Sequence, residues 1–419
     1  MKILFCNYEY PPLGGGGGVV MAALAGQLAS RHEVTVLTSR MDGLSDDAIE
    51  RGVRVVRVPV FFRRDLAVAN FPSMFAYLPT GFMRGLQLGR GGAFDVVNTH
   101  FVVPTGPLGH ALAKCHRLPN VLSVHGGDLF DPSKRSSPHL HAPLRASVRS
   151  LLRSADVVIG QSRDTVRHVT DLYGVQRDVG LIPLGIDRPP SIAGASRAQF
   201  GIPEDAFVLV TIGRLVARKA TTQLIDVFAA SALPDAHLLI VGDGPDREAI
   251  EQRAGERGVS QRVHVLGQVG DDEKYAALSC ADAFVSTSQH EGFGLVFLEA
   301  MAFGLPVLCY DRGGQVDFLK SDETGFVVRL NDEADFVRAL RQLHDDREAR
   351  VRFGQHNLEL VEDFFIDTCA RRYEDVFESA IARIAKSGKS KTPNASAQPR
   401  AASASSASRG KEPNIARSP

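Results

Sequence analysis

Two successive series of short, almost continuously apolar runs, each run followed by a helical pattern, restrict what this chain can fold into. The first series is Lys2 to Cys6, Val34 to Thr38, Val53 to Val58, Asp95 to Thr99, Asn120 to Val124, Val157 to Gly160 and Gly180 to Ile182. Runs of this kind suit strands buried on both faces, and the helices between them predict a parallel sheet covered on both sides. The pattern pauses at a Pro/Gly/Ser/Ala stretch, Ile186 to Ala195, which reads as a connector. It resumes with Phe207 to Ile212, His237 to Val241, Val263 to Leu266, Ala283 to Thr287, Pro306 to Tyr310 and Gly325 to Val328. The expected fold class is α/β, with two doubly wound, Rossmann-like domains over residues 1–185 and 196–366 that face each other across a cleft. Helical segments close the chain at Glu333 to His344, Asp346 to Asp363 and Asp367 to Ile384.

Composition settles several classes. An apolar fraction of 44% and a charged fraction of 23% are those of a globular protein able to bury a core. A formal net charge of zero removes the strongest argument for a nucleic-acid partner. The balance is uneven, because Lys386, Lys389, Lys391, Arg400, Arg409, Lys411 and Arg417 face only Glu412 in the last stretch, leaving about −6 on the rest. That stretch, 386–419, is rich in Ser, Ala, Lys and Pro and is expected to be a disordered basic tail. Five scattered cysteines without a Cys-x-x-Cys pair point to a reducing, cytoplasmic setting. The apolar run at the N-terminus is too short for a signal peptide, and no run approaches a membrane span, so any membrane contact is expected to be peripheral.

Four motifs carry chemistry. Gly14 to Gly18 lie between the first strand and a helix expected near Val19, where glycines let backbone amides approach an anion; a flexible turn is the equally plain alternative. Gly213-Arg214-Leu215 and Lys219 follow the first strand of the second half, at the carboxyl end where such sheets bind ligands. Taken alone, that pair is also what a solvated basic surface looks like. Glu291-Gly292-Phe293-Gly294-Leu295 follows a strand and leads into a helix carrying Glu299, so its amides are candidate donors to a pyrophosphate or sugar hydroxyl. A carboxylate at Glu299 amid apolar neighbours needs hydrogen-bond partners. Finally, Ser123-Val124-His125-Gly126-Gly127-Asp128 puts a histidine at a strand end, with Asp128 either orienting the imidazole or closing the loop. His139 and His141 lack a third ligand, and there is no Asp-x-Asp motif, so no metal site is expected.

Glu291 and Glu299 with seven residues between them, and Gly213-Arg214-Leu215, Lys219 and Gly242-Asp243-Gly244-Pro245 upstream, resemble the donor domain of glycosyltransferase family 4, which has the GT-B fold. The likeness covers about residues 1–385 and includes Ile182-Pro183-Leu184-Gly185-Ile186-Asp187, Val265 to Val269 and Gly313 to Asp317. It implies an acceptor-side first domain, a donor-binding second domain, and a last helix, 367–385, that packs back on the first. It also implies roles: His125 and Glu291 at the transferred sugar, Glu299 at the donor ribose, and Arg214 and Lys219 at the diphosphate. Gly15 and Gly16 would close on the donor from the first domain, and Gly292, Phe293, Gly294 and Leu295 would complete its site. The implied reaction is retaining, metal-independent transfer from a nucleotide diphosphate sugar as co-substrate, without a cofactor, in polysaccharide, lipopolysaccharide or glycolipid biosynthesis.

Two positions depart from the family pattern: Ala220 stands where Gly is usual, and Asp317 where Glu is common. The segment Phe61 to Leu88 interleaves aromatics with Arg63, Arg64 and Arg84, which suits either an anionic membrane surface with a lipid-linked acceptor or ordinary packing. The rival readings are a nucleotide-sugar epimerase, a phosphorylase of the same architecture, and a sugar-nucleotide-binding protein without turnover. An epimerase needs no second substrate, a phosphorylase needs a pyridoxal-phosphate lysine, and a pure binder shows donor affinity without transfer.

Overall fold

A computed structural model of the chain describes residues 1–61, 63, 70–131, 136–192 and 194–389. The first half supplies β1 (Lys2–Cys6), α1 (Gly16–Ala29), β2 (Glu33–Arg40), β3 (Asp47–Glu50), β4 (Val53–Pro59), α2 (Phe71–Leu88) and β5 (Val96–His100). It continues with α3 (Gly106–His116), β6 (Asn120–Val124), α4 (Ala142–Ser154), β7 (Val157–Gly160), α5 (Arg163–Asp171) and β8 (Gly180–Leu181). Its sheet runs β3-β4-β2-β1-β5-β6-β7-β8, parallel throughout except for β3 against β4. The sequence pattern did not reveal β3: Asp47-Ala48-Ile49-Glu50 is a short edge strand, and two of its four side chains are charged. Charge at an edge is how a sheet discourages further pairing, and it erases the apolar signal.

The second half supplies β9 (Phe207–Ile212), α6 (Thr221–Ser231), β10 (Ala236–Val241), α7 (Arg247–Glu256), β11 (Val263–Gly267), α8 (Asp271–Ser279) and β12 (Ala283–Ser286). It ends with α9 (Leu295–Met301), β13 (Val307–Tyr310), β14 (Gly325–Val328), α10 (Glu333–Asp345), α11 (Arg347–Leu360) and α12 (Ile366–Lys389). The sheet order β11-β10-β9-β12-β13-β14 is all parallel. Each sheet thus reverses its strand order once, between β1 and β5 in the first and between β9 and β12 in the second. Crevices for ligands open at the carboxyl ends of strands at such points.

The chain crosses between the halves twice, and the two crossings pair with each other. The Ile186 amide donates to the Phe364 carbonyl at 3.0 Å, and the Ile366 amide to the Ile186 carbonyl at 2.8 Å. Gly185 is required beside them, because a side chain there would begin 2.8 Å from the Ile366 Cα. Arg188 clamps the junction with two hydrogen bonds to the Glu362 carboxylate, at 2.9 and 2.8 Å, while its guanidinium covers the Phe365 ring.

From this junction α12 returns to the first half and buries Ile366, Cys369, Ala370, Tyr373, Phe377 and Ala380 in one core with Ile3, Phe5, Met21 and Leu24. The helix continues through Lys389 rather than stopping at 385, and the rest of the expected basic tail, residues 390–419, lies outside the described residues. Among the described residues no helix is long and apolar enough to cross a membrane. Of the aromatic and arginine segment, Phe75 and Met83 are exposed on α2, whereas Arg63 is buried against Ser39 and the Tyr8 ring and Arg84 reaches Asp47. Arg64 lies outside the described residues. Of the two alternatives for this segment, the cationic membrane surface is left, on the described residues, with Arg84 alone, whose charge is already met by a carboxylate.

Because Phe377 is fully buried where α12 meets the first sheet, Phe377→Ala should cost about 3–5 kcal/mol of unfolding free energy, measurable by urea denaturation. Unchanged stability would mean that the helix does not dock on this core in solution.

Candidate functional site

The predicted site residues come from the loops at the two strand-order reversals. In the first half the turn after β1 leads into α1, and β5 is followed at once by Phe101. In the second, β9 leads through Gly213 to Lys219, and β12 leads to Glu291 and α9. The halves meet here. The Ser162 hydroxyl donates to the Gly292 carbonyl at 3.3 Å, the Arg163 amide to the Asp317 carboxylate at 2.6 Å, and His290 faces Asp164 at 3.4 Å. Asp317 accordingly serves the contact between the halves.

Glu291 is the electrostatic centre of the second half. Its side chain is only 7% exposed, and its Oε1 lies 2.5 Å from the Lys219 Nζ. Its Oε2 lies 3.3 Å from the Arg218 guanidinium, which also donates to the His290 carbonyl. Burial by itself raises this carboxyl group's pKa, but Lys219 and then Arg218 outweigh it and hold the value down at about 2. Glu291 is therefore a fixed anion at working pH and cannot act as a proton donor. Lys219 reaches it because the chain turns sharply at Ala220, which adopts a left-handed φ of 47°. An alanine there carries strain of roughly 1–2 kcal/mol, which explains why glycine is usual at this position.

The His125 backbone, in the first half, lies beside Gly292, the neighbour of Glu291. A side chain at Gly292 would begin 3.3 Å from the His125 carbonyl oxygen, and one at Gly126 would begin 3.5 Å from the Gly292 Cα. That carbonyl also accepts from the Gln161 amide at 2.5 Å. Phe101 stacks on the imidazole at 4.3 Å, held at a left-handed φ of 66°. Its ring tip occupies the space a side chain at Gly17 would need, so the glycine run is shaped partly by this ring. Burial pushes the His125 pKa down to about 4, so the ring is neutral at pH 7. Its Nε2 lies 3.0 Å from the His100 Nδ1, while its own Nδ1 is buried with no partner at full hydrogen-bond distance among the described residues, the Gln161 side chain being the polar group beside the ring. A buried orphan of this kind costs about 1–3 kcal/mol until something fills it. Asp128 closes the loop and does not orient the imidazole: it accepts from the His125 amide at 2.9 Å and the Val102 amide at 2.6 Å.

Glu299 and Leu295 line a cleft of about 350 Å³ between the halves, opposite Tyr10, Pro11, Val19 and Val20. The Lys274 ammonium lies 2.9 Å from the Glu299 carboxylate, which supplies the partner a buried acid needs. The Gly15–Gly18 run starts α1 three residues earlier than expected, at Gly16, and brings it close to α9: a side chain at Gly16 would begin 3.9 Å from Leu295. The Gly15 amide is turned to the Glu9 carboxylate at 3.4 Å. Arg214 is exposed at the end of β9 and shares a recess with Lys219. The Phe293 side chain is buried in the second domain's core against Phe318, which leaves its backbone, the part expected to meet a ligand, on the turn. At Gly294, φ is 93° and a side chain would strike Phe297.

A larger cavity, about 750 Å³, lies elsewhere, between α12 and the β7–β8 edge. Its Arg177 is committed to the carbonyls of Leu152, Ala155 and Asp156, and none of the predicted site residues reaches it. Among the described residues no three His, Cys, Asp or Glu side chains gather as metal ligands, and His139 contacts Ser137 and the Phe130 ring. Sequence reasoning missed Arg218, Phe101, His100 and Lys274. The first three adjoin a predicted motif or a strand's carboxyl end, which is a usable signal; Lys274, on a polar helix, gave none.

Glu291 titrates below its ordinary value of 4.5, so its contribution is complete above that pH and is lost as pH falls through about 2. Lys219→Met should lower stability at neutral pH by about 3 kcal/mol, the lower end for a broken buried pair because Arg218 remains. In acid the gap should narrow, since the variant's carboxyl group protonates first. Urea unfolding across the acid range checks this, and a gap independent of pH would show that Lys219 acts by packing alone.

Family models agree with this geometry. One described as glycosyl transferases group 1 matches residues 194–359, and one described as glycosyltransferase family 4 matches residues 14–188. The lipopolysaccharide core biosynthesis glycosyltransferase LpsE of Rhizobium meliloti (strain 1021) is 31% identical over 234 residues, 53% of this chain and 66% of that protein. The N-acetyl-alpha-D-glucosaminyl L-malate synthase of Bacillus anthracis is 26% identical over 405 residues, 93% of this chain and 100% of that one. Among solved structures, Anabaena HepE in complex with UDP-glucose superposes with a TM-score of 0.73 at 20% identity, over 90% of this chain and 100% of that chain. With each half matched by a glycosyltransferase model and the cleft built from residues of both, this chain belongs to glycosyltransferase family 4 and is a glycosyltransferase of the GT-B fold.

Proposed function

We propose that this glycosyltransferase transfers a sugar, with retention and without a metal ion, from a nucleotide diphosphate sugar to a glycan or lipid-linked acceptor. The observation that carries the reading is the cluster of Lys219, Arg218 and Glu291 in the second half, reached from the first half by the His125 backbone beside Gly292. A departing nucleotide diphosphate develops negative charge that must be stabilised as the glycosidic bond breaks. Arg214 offers a fork to phosphate oxygens, and Lys219 a point charge beside it. Glu291, permanently ionised, accepts hydroxyls of the transferred sugar and keeps the ammonium of Lys219 in place. Glu299 accepts from the ribose, while the amides of Gly16 and Gly17 at the start of α1 approach from the other half. Retention is carried from the family resemblance. HepE's complex with UDP-glucose supports a sugar-nucleotide donor, and the lipopolysaccharide-core role in LpsE's name supports a glycan or lipid-linked acceptor. The protein works in the cytoplasm, and peripheral contact with the membrane would serve a lipid-linked acceptor.

The test begins with a thermal-shift panel of UDP-, GDP- and ADP-sugars, followed by transfer to glycan and lipid extracts with the best donor. Arg214→Ala should weaken binding of the free nucleotide diphosphate roughly ten-fold to a hundred-fold, the worth of about 1.5–3 kcal/mol for a charge-assisted contact. Glu299→Ala should impair that binding too, whereas Glu291→Ala should spare it and abolish most transfer. Equal effects of the two glutamates on the free nucleotide would show that their roles are misassigned.

A second expectation concerns the metal. Initial transfer rates in chelator should match those with added magnesium or manganese, because fixed cations already meet the leaving group. Activity that vanishes in chelator and returns only with metal would overturn the leaving-group assignment.

A further inference from the structure

A file of buried polar side chains leads from the C-terminal helix to His125. The Tyr373 hydroxyl, on α12, lies 3.1 Å from the Ser123 hydroxyl, and Ser123 lies 3.4 Å from the Asn98 side-chain carbonyl. The Asn98 amide nitrogen lies 2.7 Å from the His100 Nε2, and the His100 Nδ1 lies 3.0 Å from the His125 Nε2. Every member is buried: Tyr373 is 2% exposed, Ser123 1%, Asn98 0%, His100 0% and His125 7%.

Such a file has two self-consistent directions, since the hydroxyl can rotate, the amide can flip and each imidazole can move its proton. The end group decides between them. Tyr373 carries a phenolic proton, and among the described residues its hydroxyl meets no acceptor except Ser123. Donation therefore starts at Tyr373. Ser123 then donates to the Asn98 carbonyl, which turns the Asn98 NH2 toward the His100 Nε2 and makes that nitrogen an acceptor. In a neutral ring the proton is then on Nδ1, so His100 donates to the His125 Nε2. The reverse order would leave a buried phenol proton unsatisfied. Burial keeps both imidazoles neutral at pH 7, so neither can evade the choice by binding a second proton.

We propose that Tyr373 and His100 are positioning residues that hold His125 in its Nδ1–H form, so that a hydrogen-bond donor, not an acceptor, stands at the ring nitrogen that has no close partner among the described residues. This deepens the reading above, in which His125 faces the transferred sugar. It adds that the contact is donation from Nδ1 to a sugar or glycosidic-phosphate oxygen. It also gives α12 a part in the site: the helix that ties the chain's end to the first half sets the proton order four hydrogen bonds away.

The primary test is nitrogen-15 NMR of the free, histidine-labelled full chain near neutral pH, with His100→Asn and His125→Asn spectra to assign the two rings. Each ring should show a protonated Nδ1 and an unprotonated Nε2, the minority form of free histidine. A protonated Nε2 on His125 overturns the proposal. Tyr373→Phe removes the only donor that sets the direction, so the His125 signals should move toward a mixture of the two forms; an unmoved spectrum overturns the role of Tyr373. In transfer assays, His100→Phe keeps the ring that stacks on Phe5 at 5.4 Å but cannot donate, and should lower kcat roughly ten-fold to a hundred-fold, as loss of an orienting partner does elsewhere. His100→Asn keeps a donor near the position of Nδ1 and should restore kcat to within a few-fold of the parent chain, with KM for the donor little changed in both. Equal activity of the two variants counts against the proposal. If His100→Phe does not fold, the parent and Tyr373→Phe spectra still decide it. The spectra require no substrate, so a chain that shows the expected proton order yet transfers no sugar would sink the functional reading and leave this one standing.

Discussion

The whole arrangement depends on the short parallel pairing between Ile186 and the Phe364–Ile366 segment. Each half has its own sheet and its own core, and nothing within either one dictates how it is turned toward the other. The two crossings of the chain do, because they exchange backbone hydrogen bonds at 3.0 and 2.8 Å and allow no side chain at Gly185. Together with the contacts of Ser162, Arg163 and Asp164 to the second half, the double crossing keeps the carboxyl ends of both sheets in opposition. The cleft is then where two strand-order reversals face each other, and chemistry can draw on both.

Within that cleft the decisive balance is between desolvation and charge pairing at Glu291. An isolated carboxylate at this depth would protonate, yet Lys219 and Arg218 reverse the tendency and keep it ionised. The same contacts keep two cations at the carboxyl end of a parallel sheet, where a diphosphate can use them. The left-handed turn at Ala220 is the local strain that accompanies this placement, and strain of this kind is tolerated where surrounding structure over-determines the backbone. Phe101 shows the same feature in the first half, held left-handed so that its ring lies between the glycine run and His125.

Much of this was legible from residue order. The alternation of buried strands and helices gave both sheets, with β3 escaping notice because its charged edge residues carry no apolar period. Glu291, Glu299, Lys219 and His125 stood out because each follows or flanks a strand's carboxyl end, and the structure brings Lys219 and Glu291 into contact across 72 positions of sequence. What residue order did not show is where the Phe293 ring goes: between two glycines it turns inward against Phe318 and fills the core, leaving its backbone on the turn. Asp128 was read with two roles open, and the backbone amides of Val102 and His125 chose loop closure.

The sequence by itself determined the class of each domain, the boundary between them and the strand ends that carry chemistry, because hydrophobic period and turn residues act over a few positions and can be read locally. Tertiary structure alone decided which charges neutralise one another and which nitrogen of His125 lacks a close partner among the described residues. Those outcomes depend on distances between groups brought together by folding: Lys274 to Glu299 across 25 residues, and Tyr373 to Ser123 across 250. Coulomb attraction and hydrogen bonding fall off over a few ångströms, and no pattern along the chain encodes a separation that exists only once α12 has packed against the first sheet.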